Sequence, residues 1–390
     1  MSALPKPDAI GGESLAARLR DRIAREGPIS VHDYMEACLA DRRSGYYTTR
    51  QPLGTAGDFI TAPEMSQIFG ELIGVWAAAV WQAMDEPSSV TVAELGPGRG
   101  TLMADALRVW RSAPDFLARV SVALVERSPV LEAAQREKLS DSPAPLQWYA
   151  VLDDVPRGPL IVIANEFIDA LPARQIVRLG GVWRERTVTL ADKSGFAFGA
   201  GAPVEHDALP SWLGEADVAD GAIFEMRPAT SRLIETIANR AQDSPIAALI
   251  VDYGHATSGI GDTLQAVHRH RFADPLTAPG ETDLTAHVDF AALKGAARAR
   301  GLDAFGPMPQ GQFLLKLGLQ SRCNRLIRDA TQDQREAILS GAARLADPRQ
   351  MGALFKALAL QSSGLAPPPP FADIEPPRLT ASPSWLRPTR

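Results

Sequence analysis

Glu94-Leu95-Gly96-Pro97-Gly98-Arg99-Gly100 is the stretch of this 390-residue chain whose residue types and spacing speak most directly of chemistry. Glycines that follow a strand make a tight turn and let a ligand approach the backbone closely. The dinucleotide fingerprint GxGxxG is not met, because its third glycine would fall at Thr101. No GxxxxGK[ST] run is present either, which excludes a P-loop. Acids accompany the turn. Glu94 precedes it by two residues. Glu126 ends the next apolar run, where a carboxylate can accept hydrogen bonds from both hydroxyls of a ribose, each worth roughly 1.5–3 kcal/mol. NAD enzymes use an acid in a comparable place, so Glu126 alone does not discriminate. Asp153, or its neighbour Asp154, follows a third run and is a further acid that can contact such a cofactor. The turn and Glu126 together point to a nucleotide-type cofactor.

Elements must hold these residues in place. Val90 to Leu95, Val120 to Glu126, Trp148 to Leu152 and Leu160 to Asn165 read as successive strands, with helices opening at Thr101 and at Ser128-Pro129. Strands alternating with helices predict a mostly parallel sheet covered on both faces, an α/β Rossmann-like architecture. Before it, Glu13 to Glu26 and a segment capped by Ser30 read as helices. Thr61 is placed to cap a long helix running through Ile68, Trp76 and Trp81. After Asn165 the alternation pauses. Ala173–Leu179 and Val182–Leu190 read as a hairpin joined at Gly180-Gly181, Gly195 to Pro210 has no strong pattern, and Ala222 to Met226 is a short strand. A helix to about Ala241 follows, and then Ile246 to Tyr253 returns as a core strand. Helices are expected near Phe290–Ala299, Asp329–Leu345 and Met351–Leu360, before a Pro-rich tail. The domain expectation is an N-terminal helical or lid segment over 1–88 and a cofactor domain over 89–172 and 244–305. An inserted substrate-side subdomain occupies 173–243, and C-terminal helices with the tail occupy 306–390.

Composition bounds the reading. Hydrophobic residues are 45% and charged residues 22%, which is ordinary globular chemistry. A net charge of -6 gives no excess of positive charge for binding nucleic acid. No apolar run approaches the roughly 20 residues that span a bilayer. Cys38 and Cys323 are too far apart in sequence for a CxxC site and read as free thiols. His268 and His270 form an H-x-H with no evident third ligand, so no metal site is expected. The N-terminus lacks a signal-peptide core, and its Asp8, Glu13, Asp21 and Glu26 suit a transit peptide poorly. A cytoplasmic bacterial protein is the expectation, with the mitochondrial matrix as the setting for a eukaryotic one.

The G-x-G-x-G turn with its leading acid resembles the first motif of class I S-adenosylmethionine-dependent methyltransferases. That donor carries a sulfonium and an ammonium but no phosphate, so Glu94 can complement its positive charge while Gly96, Gly98 and Gly100 leave it room. Four more segments join the turn: Gly57-Asp58-Phe59-Ile60-Thr61-Ala62-Pro63-Glu64, Asn165-Glu166-Phe167-Ile168-Asp169-Ala170-Leu171-Pro172, Val251-Asp252-Tyr253-Gly254-His255, and Asp283-Leu284-Thr285-Ala286-His287-Val288-Asp289-Phe290. From about Ile29 to about Leu360 the set resembles the MidA-like methyltransferases. The family includes a mitochondrial complex I assembly factor that methylates a protein arginine. The resemblance implies S-adenosyl-L-methionine as cofactor and a protein arginine as acceptor. It also implies a symmetric dimethylarginine product and a complex I core subunit as target.

Within that frame Glu166 and Asp169 can orient a guanidinium by charged hydrogen bonds, and the rival reading makes them helix caps. Asn165 can hold the acceptor or close a strand end. His255 and Asp252 end the fifth strand, where either can relay a proton, contact the acceptor or serve a turn. Asp58 and Thr61 fall in a segment that can fold over the cofactor as a lid, with ordinary capping as the rival. Two other functions compete: an assembly protein that retains the pocket with little turnover, and an NAD-dependent oxidoreductase, which the glycine spacing disfavours. Homodimerisation is left open.

Overall fold

Val90–Leu95, Val120–Val125 and Leu160–Asn165 are short aliphatic runs, and each is a buried strand in the computed structural model. The structure describes residues 13–49, 61–191, 195–215, 218–268 and 271–372. These fall into two compact units, one within Met1–Arg50, Pro172–Met226 and Ile260–Leu284, the other within Gln51–Leu171, Arg227–Gly259 and Thr285–Arg390.

The larger unit is built on one sheet. Its strands in chain order are β1 (Val90–Leu95), β2 (Val120–Val125), β3 (Leu146–Tyr149), β4 (Leu160–Asn165), β5 (Ile246–His255), β6 (Leu302–Pro309) and β7 (Phe355–Ser362). They lie in the order β3-β2-β1-β4-β5-β7-β6, with the two-residue strand Val288–Asp289 beside the end of β5. β1 to β5 are parallel, and β7 runs antiparallel to both its neighbours. β1 pairs with β2 on one side and β4 on the other. The chain therefore leaves β1 in opposite directions, which opens a crevice at the carboxyl ends of the strands.

Side chains alternate across this sheet into two cores. Val92, Ile161, Ile163 and Leu249 join Phe69, Trp76 and Leu102 on one face. Ala93, Leu95, Val162 and Ile250 join Ile234, Ile237, Phe290 and Leu293 on the other. The helices supplying them are α1 (Gln67–Ala83), α2 (Thr101–Trp110), α4 (Pro228–Ala241) and α5 (Phe290–Arg298), while α3 (Pro129–Lys138) follows β2. Burial of each such side chain stabilises by roughly 1.5–3 kcal/mol. Gly70 and Gly74 let α1 lie close on α2, because a Cβ there would stand 2.7 Å from Asp105 Cβ and 2.8 Å from Ala106 Cα.

Several elements differ from expectation. The helix expected to run from Thr61 through Trp81 is two pieces. Ala62–Met65 is a single turn, and the Ser66 side chain then accepts the Ile68 N–H and starts α1 afresh. Thr61 has the backbone angles of a cap but makes no side-chain cap bond. The helix expected over Met351–Leu360 is a turn, Met351–Leu354, followed by β7. Ala357 to Leu360 are fully buried between β5 and β6, and an apolar run of this length suits either a strand or a buried helix. β6 and the strand Phe196–Pro203 form where the sequence carries no strong strand pattern.

The smaller unit holds an antiparallel sheet of Ile29–Ser30, Val182–Leu190, Arg174–Leu179 and Ile223–Met226, with Phe196–Pro203 also on Val182–Leu190. Helices Leu15–Glu26 and Val31–Ala40 belong to it. The Gly180-Gly181 hairpin turn is present, and Asp220 accepts both of its N–H groups. The segment expected as one unit over 1–88 is thus divided, with its first helices here and α1 on the large sheet. Cys38 and Cys323 are buried free thiols. Among the described residues no helix is long and apolar enough to cross a membrane.

Candidate active site

The chain turns at once after β1. Gly96, Gly98 and Gly100 have φ of +60°, +56° and +78°, a region that costs other residues roughly 1–2 kcal/mol. A Cβ on Gly96 would stand 2.8 Å from Phe167 Cδ2, so the turn and the segment after β4 share one tight space. Gly96 N–H donates to Val125 O at 3.0 Å, and Gly100 N–H donates to Pro97 O at 2.8 Å. Glu94 is 3% exposed, and its Oε2 finds no partner among the described residues. Burial, with Glu126 nearby, pushes its carboxyl up to about 8.

Glu126 follows β2 and is better served. Its Oε1 accepts the N–H groups of Arg127 at 2.8 Å and Ser128 at 2.7 Å, and its Oε2 accepts Gln135 Nε2 at 3.1 Å. Burial still raises it above the usual carboxylate range, and these three donors oppose the shift.

The end of β4 is built differently. Glu166 adopts φ +47°, which a side chain takes only when its surroundings enforce it. Its Oε1 accepts Ala62 N–H at 2.8 Å and Asn165 Nδ2 at 3.4 Å. Burial pushes its carboxyl up to about 7, and the neighbouring Asp169 adds to the rise. Asp169 accepts the Tyr253 phenol, yet its buried Oδ1 has no partner among the described residues, and burial raises it too. Asn165 Oδ1 is likewise unpartnered. Asp252, fully buried on β5, uses Oδ2 to accept the N–H groups of Ile168 at 2.9 Å and Asp169 at 3.2 Å, and Oδ1 to accept that of Tyr253. Burial and Asp169 raise it well above its ordinary value. Asp252 thereby acts on the loop backbone, which is a holding role. Arg227 completes the clamp by donating to the carbonyls of Asp169, Leu171, Ala286 and His287.

The turn Ala62–Met65 ties the two strand ends together. Ala62 N–H lies on Glu166. Glu64 accepts the Thr101 hydroxyl and pairs with Arg99 at 3.7 Å, and Lys138 donates to Thr101 Oγ1 at 3.0 Å. Thr61 stands at the start of this turn. Asp58 lies outside the described residues.

The structure therefore gathers Glu94, Gly96, Gly98, Gly100 and Glu126 at the ends of β1 and β2, and Asn165, Glu166 and Asp169 at the adjoining end of β4. His255 ends β5 with its Nε2 3.7 Å from Asp289 Oδ2, and Asp289 caps α5 through Ala292 N–H. Asp153 is exposed on a short turn, and its carboxylate accepts the Thr236 hydroxyl of α4 at 3.1 Å. Gln135, Arg227 and Tyr253 were missed. Tyr253 had a signal, since it lies beside Asp252 at a strand end. Gln135 and Arg227 had none, because their partners are distant in sequence.

A donor that bears positive charge and a ribose but no phosphate fits the first edge. Glu94 offers a buried unpartnered oxygen to a cation, Glu126 offers a fixed carboxylate to hydroxyls, and the glycines offer bare backbone. The model of a family of S-adenosyl-L-methionine-dependent methyltransferases matches residues 72–308. The mitochondrial protein arginine methyltransferase NDUFAF7 homolog of Drosophila melanogaster is 37% identical over 388 residues, covering 91% of this chain and 86% of that protein. The mitochondrial protein arginine methyltransferase NDUFAF7 of Homo sapiens is 35% identical over 371 residues, covering 87% and 81%. A methyltransferase-like protein of Burkholderia thailandensis, crystallised with S-adenosyl-homocysteine, superposes with a TM-score of 0.80 at 30% identity, covering 93% of this chain and 95% of that one. By motif, sheet order and these matches, the chain belongs to the MidA-like family of S-adenosyl-L-methionine-dependent methyltransferases, with the class I fold.

Proposed function

We propose that the acceptor is an arginine side chain of a protein. The observation that carries this reading is the set of oxygens at the end of β4. Asn165 Oδ1 and Asp169 Oδ1 have no donor among the described residues and sit beside the Glu166 carboxylate. A guanidinium brings five N–H donors in a plane and takes carboxylates in pairs. The fly and human relatives are named protein arginine methyltransferases, which supports the same acceptor. The resemblance extends the reading to a complex I core subunit as target and symmetric dimethylarginine as product. The setting that goes with it is the bacterial cytoplasm, or the mitochondrial matrix in a eukaryotic cell.

S-adenosyl-L-methionine supplies an electrophilic methyl group when bound. The chain's own residues prepare the nucleophile. A guanidinium with its pKa above about 12 is a poor one as found. Glu166 would hold one guanidinium nitrogen, draw positive charge from it and take its proton, a task suited to a carboxyl held near 7. Asp169 and Asn165 would fix the plane. Asp252 and Arg227 keep the loop that carries them in place. Orientation of this kind can account for about 7–11 kcal/mol of a barrier.

The test is transfer of a labelled methyl group from S-adenosyl-L-methionine to respiratory-complex protein, followed by acid hydrolysis and amino-acid analysis. Label in methylated arginine, lost in Glu166→Gln, is the expected result. Label on another residue, or on none while S-adenosyl-homocysteine still binds, would sink the arginine reading.

A further inference from the structure

We infer that Gln135 is a positioning residue of the cofactor site: its carboxamide fixes both the middle glycine of the turn and the Glu126 carboxylate, and Trp148 holds the opposite end of that carboxamide. The inference does not depend on which acceptor is methylated.

Gln135 lies on α3 and is fully buried. A buried amide is costly unless its donors and acceptor are met. Here each has a partner. Nε2 donates to Gly98 O at 2.8 Å and to Glu126 Oε2 at 3.1 Å, and Oε1 accepts Trp148 Nε1 at 2.9 Å. The partners come from the turn after β1, the end of β2, and β3, so one side chain ties three adjacent strand ends together. An indole N–H can only donate. With the amide reversed, NH2 would face the Trp148 N–H, and its oxygen would face both Gly98 O and the Glu126 carboxylate. Trp148, Gly98 O and the Glu126 carboxylate thus agree on one orientation, the one that serves the cofactor edge.

Both held groups belong to the ligand-binding machinery. Gly98 is in a left-handed conformation, and its carbonyl is held by Gln135. A Cβ at the next turn glycine, Gly100, would stand 3.5 Å from Gln135 Cγ, so α3 also backs the turn. Glu126 has its Oε1 fixed by two backbone N–H groups. Gln135 fixes Oε2 and leaves the remaining acceptor capacity of that carboxylate pointing in a set direction.

Calorimetric titration of the full chain with S-adenosyl-homocysteine tests this, with Gln135→Met and Trp148→Phe beside wild type, each repeated from pH 5 to 8. Gln135→Met keeps the length and removes the polar atoms. It is expected to weaken binding about tenfold or more, as loss of a bond to a charged group does, and Trp148→Phe by about threefold. The pH profile separates positioning from packing. Gln135 is one of the donors that favour the charged form of Glu126, so in Gln135→Met the loss of affinity on acidification should begin at a higher pH. Glu94 from β1, Glu132 from α3 and the Arg127 and Ser128 amides also face that carboxylate and are unchanged in the variant. Thermal unfolding without ligand reports the stability of the fold apart from ligand binding. Affinity within twofold of wild type and an unmoved pH profile would overturn the inference, whatever the melting temperature does. Should Gln135→Met not fold, Trp148→Phe decides by the same two readouts.

Discussion

Two neighbouring edges of one sheet carry acids, and they treat them in opposite ways. At the ends of β1 and β2, Glu126 is surrounded by donors and Gln135 holds both the turn and the acid, so the edge is set before a ligand arrives. At the ends of β4 and β5, burial raises the proton affinity of Glu166, Asp169 and Asp252, Asp169 adds to the rise at Glu166 and Asp252, and Glu166 sits in a strained conformation. The first edge is prepared to recognise an invariant molecule. The second leaves buried oxygens of Asn165 and Asp169 without a donor among the described residues, and the proposed acceptor would bring donors to them. A strained Glu166 beside a second buried carboxyl is the pattern expected where proton transfer is needed.

Glu166→Gln should have the largest effect. The amide keeps the shape and can still accept Ala62 N–H, but it cannot take a proton. Turnover should fall by about 100-fold or more, while S-adenosyl-homocysteine affinity stays within about threefold, under one kcal/mol. The wild-type kcat/KM should fall as pH drops through about 7, where Glu166 becomes protonated, and the variant should lose that limb. A variant that keeps both the rate and the limb would move the proton acceptor elsewhere and erase the contrast between the edges.

Asp252→Asn sharpens the same contrast. It sets an amide N–H group against the backbone donors of Ile168 or Tyr253. We expect kcat to fall about tenfold with little change in S-adenosyl-homocysteine binding, since a lost bond to a charged group is worth roughly 1.5–3 kcal/mol. Gly96→Ala should cross between the edges. The residue sits at φ +60°, and the new Cβ would meet Phe167, next to Glu166. Stability should fall by roughly 1–2 kcal/mol, and both cofactor affinity and turnover should drop. Loss of only one of them would mean that the turn and the loop move independently.

The sheet and the first edge were legible in the sequence because their signals are local. A glycine turn flanked by aliphatic runs names its own strand and helix, and Glu126 is placed by the run it ends. The second edge was legible as residues but not as geometry. Asp252 looked as able to relay a proton as to hold a loop, and only its bonds to the Ile168 and Asp169 amides decide. Where the reading failed, two structures competed for the same residues. Ser66 interrupts a helix-compatible pattern by capping from within it, and the aliphatic stretch after Leu354 suits a strand once β5 and β6 flank it. The contacts of His255 with Asp289 and of Asp153 with Thr236 involve partners that no local pattern predicts.

Glu94→Gln should act on stability, with the most specific sign. Its carboxyl is raised to about 8 in the folded chain, against about 4.3 when unfolded. The folded state therefore binds more protons between these values. Stability from this group is fully present below the unfolded value and is lost as pH rises through about 8. Gln cannot ionise, so the variant should melt at a higher temperature than wild type, by a margin that is small near pH 5 and grows to several degrees by about pH 9. Saturating S-adenosyl-homocysteine should shrink the margin, because the ligand's ammonium lets the carboxylate ionise at less cost. A margin that stays flat with pH would mean that Glu94 is paired in solution, and the unpartnered oxygen on which the cofactor edge relies would not be there.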